Sequence, residues 1–174
     1  LIISFIPHRN DFSGKIACAG FFGSFLFSLK LLVHVLPAHF QAEEIALHWI
    51  RLPELTLELG LIIDRLSVLM LLVVTGIGSA VFYYSLEYMR QDEGVRRYFS
   101  GLSLFAFSMI GIVVSNNLLQ LFIFWELVGL SSYLLIGHWY QKPEAADAGK
   151  KAFLTNRVGD FGFLIGIILL WTFS

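Results

Sequence analysis

Charged residues are scarce in this chain. Only 14% of its 174 residues are Asp, Glu, Lys or Arg, whereas 57% are hydrophobic. An ordinary soluble domain has about 25% charged residues, so this chain lacks the groups that keep a protein surface in water. Its formal net charge of −1 also argues against an electrostatic interface with nucleic acid, and no nucleic-acid partner is predicted.

Cysteine and the common cofactor motifs are also missing. Cys18 is the single cysteine, so neither an internal disulfide nor a cysteine-based metal or iron–sulfur cluster can form within the chain. No Gly-rich phosphate loop is present. Gly159, Gly162 and Gly166 follow no strand, so they favour close helix packing over a dinucleotide site. The histidines have no convincing partner ligands, and the sequence predicts neither a metal nor a cofactor in this chain.

Long apolar runs take the place of charge. About 20 mostly apolar residues cross a bilayer core, and five such segments are predicted, near residues 16–36, 66–88, 98–115, 118–140 and 152–173. Residues 1–6 are interpreted as the end of an earlier helix, and the chain is predicted to be a fragment cut at both ends. Residues 1–174 are thus predicted to form part of an all-α polytopic transmembrane helix bundle.

The stretch between the first two spans has a different pattern. Leucine alternates with other residues at positions 55, 57, 59 and 61, the period of a strand. Pro53 separates this run from an earlier apolar one, which predicts a small extramembrane β-hairpin over about 45–63. Asp64, three residues before Ser67, is predicted to cap the helix that follows.

Basic residues predict the orientation of the spans, because Lys and Arg are retained on the cytoplasmic side. The loops opposite the hairpin hold eight of them, whereas the hairpin side holds only Arg51 and Arg65. The eight are Arg9, Lys15, Arg90, Arg96, Arg97, Lys142, Lys150 and Lys151. The hairpin is therefore predicted to face the outer compartment. Lys30, inside the first full span, is interpreted as a snorkelling side chain.

Glu126 is the leading candidate for function. It lies about eight residues inside its predicted helix, roughly 12 Å deep, where a charge costs on the order of 2.5–3.5 kcal/mol. Gly129, Tyr133 and Gly137 follow on the same helix face, which suits close packing or a hydrated cavity. A carboxylate buried without a cation binds a proton more readily than one in water, as a proton carrier requires. The alternative is a fixed interhelical hydrogen bond, and Trp125 is the one tryptophan placed to shape the path.

Arg157 and Asp160 form a second candidate group. They are three residues apart, so they share one helix face and can pair. Counted from Ala152, they lie roughly 8 and 12 Å into the last span. The pair is interpreted either as part of a proton path or as a structural salt bridge that positions the helix.

Three motifs resemble the antiporter-like subunits of respiratory complex I, specifically the L-type chain, called chain 5 in mitochondria and F in plastids. The first is DRLS at 64–67 with VVTG at 73–76. The second is FWELVGLSSYLLIG at 124–137, and the third is KAF at 151–153 with NRVGD at 156–160. The resemblance covers nearly the whole chain and is strongest from about 59 to 170.

The resemblance implies a fold of two inverted repeats of five helices, of which this fragment would supply the end of the first helix through the sixth. It implies that Glu126 pairs with a lysine that lies beyond Ser174, and that Asp160, with Arg157 close by, lies near a neighbouring subunit. It also implies partners among other membrane subunits, including antiporter-like ones, and the lipid bilayer. NAD, FMN, iron–sulfur clusters and quinone would be bound by other subunits.

The predicted function is therefore proton translocation, as a non-redox subunit of a complex I-type NADH–quinone oxidoreductase with no catalysis of its own. The expected location is an energy-transducing membrane, either bacterial inner or organellar inner or thylakoid. One alternative is a subunit of a multisubunit Na⁺/H⁺ antiporter, against which NRVGD at 156–160 argues. Another is a membrane scaffold without an ion path. The electron donor, NADH or ferredoxin, is left open.

Overall fold

The computed structural model describes residues 10–37, 39–52 and 55–173 and has five long helices and one two-stranded sheet in these ranges. The elements are α1 (Asn10–Val35), β1 (Glu43–Leu52), β2 (Leu55–Ile63), α2 (Arg65–Tyr88), α3 (Val95–Val114), α4 (Leu118–Ile136) and α5 (Pro143–Phe173). The stub at 1–6 lies outside the described residues. The predicted fold class, a helical membrane bundle with a small hairpin, is confirmed.

All five helices are long and apolar enough to cross a membrane. The last one begins at Pro143, well before the predicted start of its span at Ala152. Proline suits the first turn of a helix, and alanines in the next turns favour helix even where the sequence is polar. At 31 residues, α5 is roughly 46 Å long, so its first turns extend beyond a hydrocarbon core of about 30 Å.

Asp64 caps α2 as predicted. Its Oδ1 accepts a hydrogen bond from the Ser67 backbone N–H at 2.6 Å, and the Ser67 Oγ accepts one from the Asp64 N–H at 2.8 Å. This reciprocal pair satisfies two groups that a helix start would otherwise leave without partners. Asn117 caps α4 in a similar way, because its side chain accepts from the Gln120 N–H at 2.8 Å.

The hairpin rests on the turn between α3 and α4. Its strands pair antiparallel from Glu43 opposite Ile63 to Leu52 opposite Leu55, with one irregularity between His48 and Ile50. The Gly60 N–H donates to Gln120 Oε1 at 2.8 Å. A Cβ at Gly60 would collide with the Asn116 side chain, so this close approach requires glycine.

The turns between α2 and α3 and between α4 and α5 meet at the opposite end of the bundle. Arg97 donates to the His138 carbonyl at 2.6 Å, and the Trp139 Nε1–H donates to Asp92 Oδ2 at 2.7 Å. This hydrogen bond from Trp139 holds the pKa of Asp92 below its ordinary value. The loops thus divide between two ends as predicted, and the compartment that each end faces stays a prediction.

A buried core lies between the first three helices. Phe21, Phe82 and Phe99 are each under 9% exposed, and the rings of Phe21 and Phe82 stack with centroids 4.8 Å apart. The outward faces carry exposed apolar side chains such as Tyr83 and Val158. Apolar outer faces on helices that satisfy their own backbone hydrogen bonds are what a lipid environment requires.

Candidate functional site

Glu126 lies near the middle of α4, roughly 12 Å from the start of the helix and 15 Å from its end. Its side chain is 25% exposed. Gly129, on the same helix face, is buried and faces Asn156 of α5, and a Cβ added at this glycine would make an ordinary van der Waals contact with Asn156.

Arg157 reaches across from α5 and forms an ion pair with Glu126, through Nη1 and Oε2. The same Nη1 lies 3.6 Å from Asp160 Oδ2, so the predicted pairing of Arg157 with Asp160 is present. The guanidinium also covers the ring of Phe153 at 4.6 Å. One arginine is thus shared between two carboxylates. Glu126 is not buried without a cation, because the next helix supplies one.

Asp160 is the most buried of the three charged side chains, at 7% exposed. Its second oxygen, Oδ1, accepts a hydrogen bond at 2.9 Å from the Trp125 Nε1–H of α4. The Trp125 ring contacts Phe163 edge to face. Both oxygens of this carboxylate therefore have partners, one on its own helix and one on the neighbouring helix.

A cavity of about 450 Å³ opens beside Asp160, between α4 and α5. Trp125, Gly129, Thr155 and Asn156 are among the residues that line it. Water takes about 30 Å³ per molecule in the liquid, so this space is large enough for several water molecules. Most of the lining is apolar, and Asp160, Thr155 and Asn156 supply the polar groups with which water can form hydrogen bonds.

The charges of the cluster do not cancel. With both carboxylates ionised, Glu126, Arg157 and Asp160 together carry a charge of −1, because two anions share one cation. A medium of low dielectric opposes an uncompensated charge. The cluster becomes neutral when it binds one proton.

The remaining sequence candidates lie elsewhere. His34 pairs with Glu43 at 3.0 Å near the hairpin, and His138 with Asp92 at 3.3 Å at the opposite end. Within residues 10–37, 39–52 and 55–173, no group of three His, Cys, Asp or Glu could hold a metal ion. Lys30 is exposed on α1, and its snorkelling stays a prediction.

Sequence reasoning missed two contacts, Arg157 with Glu126 and Trp125 with Asp160. Both join α4 to α5, so each depends on the register of two packed helices. The sequence offers one weak signal for the second contact. A tryptophan N–H inside a span needs an acceptor, and Asp160 is the acidic residue at a similar depth on the next helix.

Two family models match the chain. One describes the N-terminus of chain 5 of NADH-ubiquinone oxidoreductase (complex I) and matches residues 49–99. The other describes a transmembrane region of NADH:quinone oxidoreductase and the Mrp antiporter and matches residues 115–174. The chain belongs to the chain 5 family of complex I membrane subunits. With its five apolar helices, it is a multi-pass chain of an energy-transducing membrane.

Curated relatives in the chain 5 family are about half identical to this chain. The chloroplastic NAD(P)H-quinone oxidoreductase subunit 5 of Zygnema circumcarinatum is 53% identical over 123 residues, covering 71% of this chain and 18% of that protein. NAD(P)H-quinone oxidoreductase chain 5 of Synechocystis sp. is 54% identical over 125 residues, covering 72% and 18%. The chain therefore spans about a fifth of the length of these relatives.

A solved structure with the same arrangement of helices is that of the Mrp complex from Dietzia sp. DQ12-45-1b. Its matching chain superposes with a TM-score of 0.66 at 26% identity, covering 88% of this chain and 19% of that chain. The likeness gives the chain an antiporter-like fold.

Proposed function

We propose that the chain is part of a proton-translocating membrane subunit of a complex I-type NAD(P)H–quinone oxidoreductase, and that Glu126, Arg157 and Asp160 lie on its proton path or control it. The observation that carries this proposal is the arginine shared between two carboxylates near the middle of two membrane-spanning helices. The family supports the class of complex. Intramembrane ionisable groups of this kind commonly mark ion pathways.

The mechanism follows from the charge of the cluster. When Arg157 pairs with Glu126, that carboxylate is stabilised as an anion. When Arg157 moves toward Asp160, Glu126 loses its cation and is in the state that favours proton binding. Return of Arg157 to Glu126 favours release.

Coupling to redox chemistry would come from outside this chain. The family resemblance implies a lysine on a later helix as the second partner of Glu126, and a charge rearrangement that starts at the quinone-reducing arm. Moving that lysine would change the pairing of Glu126 in the same way as moving Arg157. NAD, FMN, iron–sulfur clusters and quinone would be bound by other subunits, and neighbouring antiporter-like subunits would be the direct partners.

A second candidate is a subunit of a multisubunit Na⁺/H⁺ antiporter. The likeness to the Mrp complex favours it, as does the shared family model over residues 115–174. The model over residues 49–99 and the curated relatives favour the oxidoreductase. The two are separated by cation dependence, since an antiporter needs Na⁺ for proton movement and the oxidoreductase needs electron flow to quinone.

Glu126→Gln in the full-length subunit, within the assembled complex, tests the proposal. We expect proton pumping to fall about tenfold or more while the complex still assembles, because glutamine keeps the shape and cannot carry a proton. The measurements are proton uptake into vesicles and the amount of assembled complex. Glu87→Gln is the matched control, since Glu87 is exposed at the end of α2 and forms a surface ion pair with Arg90.

Normal pumping with the Glu126→Gln subunit verified in place would reject the proton path and favour the scaffold. Loss of both pumping and assembly would assign Glu126 a structural role. Pumping that follows added Na⁺ rather than electron flow would favour the antiporter.

A further inference from the structure

A groove runs between α1 and α2. Small side chains from both helices line it, among them Cys18, Ala19, Gly76, Ser79 and Ala80. Together with the larger Phe22, Phe25, Tyr83 and Leu86, they surround a cavity of about 570 Å³. Most of its walls are apolar, so it is suited to a hydrocarbon chain rather than to water.

The length and position of the groove match one leaflet of a bilayer. On α1 its lining extends from Lys15 to Phe25, a distance of roughly 15 Å along the helix. On α2 it extends from Leu86 back to Gly76, antiparallel to α1. A hydrocarbon core is about 30 Å thick. The groove therefore reaches from the basic end of the bundle, the end opposite the hairpin, to near the midplane of the bilayer.

The mouth of the groove is polar and basic. A second cavity of about 260 Å³ shares Lys15 and Leu86 with the groove and is also lined by Glu87 and Arg90. Arg90 pairs with Glu87 at 3.3 Å, so the two cations and one carboxylate leave a net charge of +1. Lys15 and Arg90 are both exposed.

We infer that this groove binds a membrane lipid with an anionic headgroup. The acyl chain lies between α1 and α2, and the phosphate or sulfonate of the headgroup meets Lys15 and Arg90. Charge complementarity carries the choice of lipid, because basic pockets between membrane helices on the cytoplasmic side bind anionic headgroups. A charged mouth at one end of an apolar groove is complementary to an amphipathic lipid, which has a charged headgroup and apolar chains.

The test uses the full-length subunit within its complex, reconstituted in nanodiscs. The nanodiscs contain either photoactivatable phosphatidylglycerol or photoactivatable phosphatidylcholine, and mass spectrometry measures the label on peptides from α1 and α2. We expect the anionic probe to label them about 25-fold more than the zwitterionic one, about fivefold for each of the two cations. The double variant Lys15→Gln with Arg90→Gln should lower labelling by the anionic probe to that of the zwitterionic probe. The expected decrease is about fivefold for each cation removed.

Two further variants keep the test sharp. Lys150→Gln with Lys151→Gln removes the same charge from the same end without touching the groove, and should leave labelling unchanged. Ala80→Phe fills the groove and should lower labelling by both probes. If the double variant at the mouth does not assemble, Lys15→Gln alone should still lower anionic labelling about fivefold.

Equal labelling by the two probes, or anionic labelling that survives loss of both cations, would overturn the inference and leave only bulk lipid at this surface. Cross-linking of the groove to another segment of the subunit would overturn it as well, because protein would then fill the space.

Discussion

The molecule contains two clusters built from the same parts, a carboxylate, a tryptophan N–H and a cationic or titratable partner. In the deep cluster, Asp160 accepts from Trp125 at 2.9 Å and lies 3.6 Å from Arg157. In the cluster at the basic end, Asp92 accepts from Trp139 at 2.7 Å and lies 3.3 Å from His138. The local hydrogen bonds are nearly alike, and the surroundings are not.

The difference lies in depth and in the second carboxylate. Asp92 is in the turn that joins α2 to α3, outside the spans, and its contacts join two loops. Asp160 lies in the middle of α5 and shares its arginine with Glu126 on another helix. Electrostatic interactions grow as the local dielectric falls. The same types of side chain therefore hold two loops together at the end of the bundle. At its centre, we propose, they take part in proton movement.

Among the variants that compare the two clusters, removal of Arg157 should have the largest effect. Arg157→Met takes away the cation of the deep cluster and leaves two carboxylates, and loss of one partner of a buried ion pair costs about 3–5 kcal/mol. The cost should fall at the low end, because the side chain is 34% exposed. We expect little assembled complex and no pumping, measured by native electrophoresis and proton uptake.

Two further variants control this experiment. Arg90→Met removes an arginine from an exposed pair, which is worth about 1 kcal/mol or less, and should leave assembly intact. Arg157→Met combined with Glu126→Gln should restore part of the assembly but no pumping, because it leaves one unpaired carboxylate, Asp160, instead of two. Wild-type assembly and pumping in Arg157→Met alone would show that the shared ion pair is dispensable.

Asp160→Asn and Asp92→Asn compare the two carboxylates directly. We expect Asp160→Asn to lower proton pumping several-fold, because asparagine can still accept from Trp125 but cannot exchange a proton or balance Arg157. Asp92→Asn should leave pumping near wild type. The measurement is the ratio of protons pumped to quinone reduced. Equal ratios in the two variants would assign Asp160 to packing.

Trp125→Phe and Trp139→Phe compare the two N–H donors, and the effects should be smaller. Trp125→Phe keeps a ring beside Phe163 and removes a hydrogen bond to a charged group, worth about 1.5–3 kcal/mol. Thermal unfolding of the single and double variants measures the coupling of Trp125 with Asp160. We expect the penalties of Trp125→Phe and Asp160→Ala to be non-additive, because either change alone removes the hydrogen bond, and additive penalties would mean that this hydrogen bond contributes nothing.

The smallest expected effect is on the pH dependence of stability, through Asp92 at the basic end of the bundle. The pKa of Asp92 is lowered in the folded state, first by the Trp139 hydrogen bond, and the ordinary value is 3.8. The stability that Asp92 contributes is therefore fully present above pH 3.8 and is lost as pH falls through the folded pKa. The melting temperatures of wild type and Asp92→Asn should differ slightly at neutral pH and converge in acid. A gap that stays constant with pH would contradict this linkage.

Much of the fold is predictable because its signals are local. Apolar runs long enough to cross a bilayer predict the five spans, and alternating leucines predict the strand that became β2. Asp64 followed by Ser67 predicts the cap of α2, and Arg157 with Asp160 three residues on predicts their pairing. Each of these depends only on residues within one or two helical turns. The early start of α5 at Pro143 was missed because hydropathy reports the membrane span and not the helix that extends beyond it.

The candidate site is only half predictable. Depth within a span identifies Glu126 and Asp160 as costly charges, and that argument needs no tertiary structure. The partner of Glu126 does not follow from spacing, since Arg157 lies 31 positions away and its reach across to α4 depends on how the two helices pack. The same is true of Trp125, whose indole meets a carboxylate of the next helix.

Composition and periodicity alone specify a membrane bundle with buried acids, because the cost of charge in hydrocarbon and the length of a span are properties of residues taken in order. Helix packing decided that one arginine serves two carboxylates, since that outcome requires a rotation and register which no single segment encodes. Packing also decided where a groove lies between α1 and α2. A side chain's depth is set by its own helix, and its partners are set by the neighbouring one.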